Sequence, residues 1–152
     1  MNYCIEIINK KKQFLWEVCI MEERTKPFKL VVKRERYCYV IFTKQGHRIA
    51  EILVPSDRQL IRDSTMLKEI MTVLEWRYGL RKEKYTGTKG NYHDLFYYQC
   101  GINGYCIYKG VPEDGGAITV GRIMTPADYR YEKDEILLSE ILKILDKRLY
   151  WK

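Results

Sequence analysis

A stretch of 24 residues occurs twice in this chain, and a fold must accommodate both copies. PSDRQLIRDSTMLKEIMTVLEWRY (55–78) aligns without a gap on PADYRYEKDEILLSEILKILDKRL (126–149). Eight positions are identical: Pro55/Pro126, Asp57/Asp128, Asp63/Asp134, Leu67/Leu138, Glu69/Glu140, Ile70/Ile141, Leu74/Leu145 and Arg77/Arg148. Five more keep their chemistry: Arg62/Lys133, Met66/Leu137, Met71/Leu142, Val73/Ile144 and Glu75/Asp146. Any two amphipathic helices share apolar spacing, so the Leu, Ile and Met matches say little. The Pro and the two Asp positions say more, because helical periodicity does not require them. Upstream, Tyr37-Cys38 parallels Tyr105-Cys106, and Trp16-Glu17-Val18-Cys19 parallels Tyr97-Tyr98-Gln99-Cys100. The pattern implies an internal duplication.

Each copy reads as one amphipathic helix. Ser56 with Gln59 fits a capping box, and Thr125, Pro126 and Asp128 fit a cap followed by a first-turn proline. The shared apolar pattern starts only at Met66 and Leu137, which points to Asp63 and Asp134 as the N-caps. Pro55 to Arg62 would then be a turn or a short separate helix. Gly79 ends the first helix, and the last helix starts near Glu135. The expected core stripes are Met66, Leu67, Ile70, Met71 and Leu74, with Leu137, Leu138, Ile141, Leu142 and Leu145.

Outside the helices the chain is rich in β-formers. Tyr3 to Ile8 and Phe14 to Met21 read as a hairpin with a lysine tip, followed by Phe28 to Val32, Tyr37 to Phe42 and Arg48 to Val54. After the polar junction RKEKYTGTKGNYHD come Leu95 to Cys100, Tyr105 to Tyr108 and Ala117 to Met124. The links between strands are too short for parallel crossovers. The expected fold is therefore α+β, one compact domain over 1–152. It has a mostly antiparallel sheet and halves of about 1–83 (βββββα) and 84–152 (βββα).

Composition narrows the functional classes. At 152 residues and 46% hydrophobic, the chain can bury a sizeable core. Its formal charge of +7 favours polyanionic partners or acidic protein surfaces. The N-terminus does not read as a signal peptide and no run spans a membrane, and five cysteines without paired spacing read as reduced thiols. The expected location is the cytoplasm.

Catalytic signatures are missing. Gly87-Thr88-Lys89-Gly90 lacks the spacing of a phosphate loop, and neither His47 nor His93 lies in a catalytic or metal pattern. His93, Cys100 and Cys106 lack zinc-site spacing, so no metal and no cofactor are expected. The densest constellation follows the first helix. Arg77, Tyr78, Arg81, Lys82, Lys84, Tyr85, Lys89 and Tyr92 lie within 76–93, a segment of net charge +4. The second helix ends alike, in Lys147, Arg148 and Trp151. Cations neutralise phosphates and rings stack on bases, so these residues suit a contact with nucleic acid or a nucleoprotein complex. The same aromatics and arginines suit a protein-partner inhibitor or adaptor of phage or mobile-element type, and a small-nucleotide binder is a third expectation.

Overall fold

The computed structural model describes residues 28–53, 59–82, 85, 92–110 and 115–150. Six strands form one sheet: β1 (Val31–Arg34), β2 (Cys38–Phe42), β3 (Arg48–Leu53), β4 (Leu95–Gln99), β5 (Gly104–Lys109) and β6 (Ile118–Met124). Their order is β1-β2-β3-β6-β5-β4, and every neighbouring pair is antiparallel. Helices α1 (Leu60–Arg77) and α2 (Tyr131–Tyr150) follow β3 and β6. The expected α+β class and antiparallel sheet are what the chain adopts. The two strands expected at 3–8 and 14–21 lie outside the described residues.

The described chain is thus βββα twice, and the registers of the two units coincide. In the first unit Tyr39 pairs with Ile52 and Ile41 with Ala50; in the second Tyr105 pairs with Ile123 and Ile107 with Gly121. Both units then slip by one residue at the same place, between Ile41 and Phe42 and between Ile107 and Tyr108. At the central junction Ala50 pairs with Ile123, Glu51 with Arg122 and Ile52 with Gly121. An approximate two-fold axis therefore passes through the Glu51–Arg122 pair. This register corrects the upstream correspondence expected from sequence. Tyr39, not Tyr37, is the counterpart of Tyr105, because the β5–β6 hairpin is five residues longer than the β2–β3 hairpin: Ile52 lies 13 residues after Tyr39 and Ile123 lies 18 after Tyr105. The counterpart of Tyr97 in this register is Val32 of β1; residues 16–19 lie outside the described residues.

Both helices cover one face of the sheet. Tyr39, Ile41, Ile52, Tyr105, Ile107 and Ile123 meet all ten expected stripe residues in one buried cluster. Period-3.6 spacing on the helices and period-2 spacing on the strands bring these side chains together, each worth roughly 1.5–3 kcal/mol when buried. The helix starts differ from expectation. α1 begins at Leu60 after Gln59, and α2 at Tyr131, so Asp63 and Asp134 lie inside the first turn and are buried. The end of α1 is as expected. Gly79 has φ +73°, with its N–H donating to Trp76 O and the Leu80 N–H to Glu75 O, the paired bonds of a Schellman cap.

Candidate functional site

The residues singled out in the sequence divide into an internal charge network and an outer surface. Asp63 and Arg148 form one half of that network. Arg148 Nε donates to Asp63 Oδ1 at 2.5 Å, and the Tyr39 hydroxyl donates to Asp63 Oδ2 at 3.0 Å. Asp134 and Arg77 form the other, with Arg77 Nε to Asp134 Oδ1 at 2.6 Å and the Tyr105 hydroxyl to Asp134 Oδ2 at 3.0 Å. Each Arg–Asp bond joins the start of one helix to the end of the other, so the helices run antiparallel. Arg77 also grips Asp128 through both terminal nitrogens, at 3.0 and 2.7 Å. Asp57, the counterpart of Asp128, lies outside the described residues.

The network perturbs its members in the expected directions. The Arg77 hydrogen bond holds the Asp128 carboxyl well below the usual carboxylate range. Burial, then the Asp134 hydrogen bond and charge, push the Tyr105 phenol up to about 12. Burial and the Asp63 charge raise Tyr39 as well. Burial works against the Arg77 charge, but its bonds to Asp128 and Asp134 outweigh this and raise its pKa.

A second matched pair occupies the far turns of the helices. Glu75 accepts the backbone N–H groups of Lys29 and Leu30 at 2.5 and 3.0 Å, and Arg81 Nη2 at 2.8 Å. Its counterpart Asp146 accepts from His93 Nδ1 at 2.7 Å, while the His93 ring stacks on Tyr150 at 4.2 Å. The His93–Asp146 contact thus occupies the place where Glu75 ties a loop to its helix. Among the described residues no group of three His, Cys, Asp or Glu side chains is placed to hold a metal.

These contacts relocate the expected binding residues. Arg77 and Arg148 are buried and ion-paired, and Arg81 is held by Glu75 and lies over the Phe28 ring at 5.3 Å. The Tyr78 hydroxyl donates to Met124 O at 3.0 Å; burial raises its pKa to about 12. Tyr85 packs edge-on against Trp76 at 5.3 Å, and Tyr92 packs on the core. Lys82 and Lys147 are exposed, the latter with Glu69 at 3.8 Å. Lys84, Lys89 and Trp151 lie outside the described residues. The two helix ends are not one surface of free cations and rings.

The sheet face away from the helices carries what sequence reading missed. One row crosses all six strands: Lys33, Val40, Glu51, Arg122, Cys106 and Tyr98. Beside it, Lys33 and Arg48 both lie over the Phe42 ring, at 5.7 and 5.9 Å. On the opposite flank Phe96 stacks on Tyr108 at 5.5 Å and meets Tyr98 edge-on at 5.4 Å. Arg48 is paired with Glu35 and Glu51, whereas Lys33 and Arg122 are exposed and form no ion pair among the described residues. The available signal was alternation: Lys33, Phe96, Tyr98 and Tyr108 fall on strand positions opposite in parity to the core residues. No helix among the described residues is long and apolar enough to cross a membrane. No family model, no curated protein and no solved structure matches the chain.

Proposed function

We propose that this chain is a small basic, non-catalytic binding protein acting on nucleic acid or on a nucleic-acid-bound complex, through the exposed residues of the sheet face away from its helices. One observation carries the reading: the interior takes up acid rather than base. Among the described residues, the buried charged groups are Asp63, Glu75, Asp134 and Asp146 with Arg77 and Arg148, four acids to two bases. On that face, Lys33 and Arg122 are exposed near rings that can stack with bases, and Tyr98 is 56% exposed.

Fluorescence anisotropy with labelled single-stranded and duplex oligonucleotides tests this. Binding should weaken steeply with salt, and Lys33→Glu or Tyr98→Ala should each weaken it about tenfold, since one stacked base is worth roughly 1–3 kcal/mol. Lys82→Glu and Lys147→Glu report on the helix side. Should those two abolish binding while the sheet variants bind normally, the contact is at the helix ends. An absence of binding at low salt ends the proposal.

A second reading has its own support. Val31, Leu53 and Met124 are exposed apolar residues on this same face, as a protein-partner inhibitor or adaptor requires. Recovery of one protein partner after nuclease treatment, lost in Met124→Glu, would favour it. The shared registers of the two βββα units also support, as a proposal about origin, the duplication expected from the repeat.

A further inference from the structure

Two cysteines meet on the sheet face away from the helices. Cys100 directly follows β4 and is exposed; Cys106 lies within β5 and is 9% exposed. Their sulfurs are 2.7 Å apart, one thiol hydrogen-bonded to the other. The hairpin that joins them is already closed, because the Cys100 N–H donates to Gly104 O at 2.8 Å. Gly104 permits this closeness: a Cβ there would stand 2.6 Å from the Cys100 carbonyl oxygen. Bonding the sulfurs therefore needs a small side-chain movement and no rearrangement of the strands.

We propose that Cys100 and Cys106 form a thiol–disulfide site that accepts oxidising equivalents from a low-molecular-weight disulfide. Cys100, the accessible partner, loses its proton to solvent, and its thiolate attacks one sulfur of the small disulfide, expelling one small thiolate. Cys106 then loses its proton, and its thiolate attacks Cys100 Sγ in the mixed disulfide, expelling the second. The protein dithiol gives up two electrons and two protons, and the small disulfide becomes two thiols. The groups facing the pair set its pace. The Cys106 hydrogen bond and burial push the Cys100 thiol up to about 11, while the Arg122 guanidinium pulls the other way. The Tyr108 phenol is raised by its hydrogen bond to Cys106. Exchange is consequently slow at neutral pH and accelerates about tenfold per pH unit as the thiolate fraction grows.

The test is incubation of the reduced full-length chain with oxidised glutathione, then alkylation, digestion and mass spectrometry. The expected product is a single tryptic peptide holding both Cys100 and Cys106, lighter by two hydrogens and returned to dithiol by dithiothreitol. Thermal unfolding should rise by about 5 °C on closure of so short a ring. Cys106→Ser should stop at a glutathione adduct on Cys100, and Cys100→Ser should leave Cys106 unmodified. Independent alkylation of both cysteines after oxidation in the wild type, or a stable adduct on Cys100 with Cys106 intact, would overturn the proposal. Neither outcome depends on nucleic-acid binding.

Discussion

Asp63 and Asp134 show how one residue's role depends on a partner the sequence does not display. Both stood out because the repeat preserves them, and a carboxylate near a helix start reads as a cap. Burial against Arg148 and Arg77 gives them different work. A buried ion pair that loses one member leaves the other uncompensated, so Arg148→Ala should cost about 3–5 kcal/mol in urea unfolding. Asp63→Asn combined with Arg148→Met should cost less than the two single changes summed, since neither charge is then left alone. The clue was present in the repeat itself. In both copies the Asp and the Arg are 14 positions apart, about 21 Å along a helix, so antiparallel neighbours of equal span bring opposite charges together at both ends. Reading Arg77 and Arg148 as surface cations went astray for the same reason: helix-end position suggests exposure, and only packing reveals the carboxylate opposite.

Elements were more legible than contacts. The apolar stripes of α1 and α2 occupy the core at every expected position, because a 3.6-residue period leaves one face to bury. The strands follow β-branched and aromatic content, though β1 runs past the expected end at Val32 to include Lys33 and Arg34. Their charged ends lie over rings of the neighbouring strand, Lys33 over Phe42 and Arg34 over Tyr39. The end of α1 was fixed by a single glycine. Gly79 sits at φ +73° with open space around its Cα, so Gly79→Ala meets no clash, only backbone strain. It should lower stability by about 1–2 kcal/mol, measured as a shift in urea midpoint with unchanged slope. The aromatic cluster on the face away from the helices was not legible, because Phe96, Tyr98 and Tyr108 gather only when β4 and β5 pair in register.

At the scale of the molecule, the two units share one sheet, one core and two reciprocal ion pairs. Each unit carries the acid that the other's arginine needs. An isologous contact sets the residue on its axis against itself. Here the axial positions hold Glu51 and Arg122, so a unit that met a second copy of itself would place like charges directly opposite. Arg122→Glu should accordingly destabilise the chain by about 0.5–1 kcal/mol, and adding Glu51→Arg should restore most of the loss in a double-mutant cycle. One pair of opposite charges at the seam thus makes each half choose the other over its own kind. It favours a seam between unlike halves and disfavours a seam between two copies of the same half.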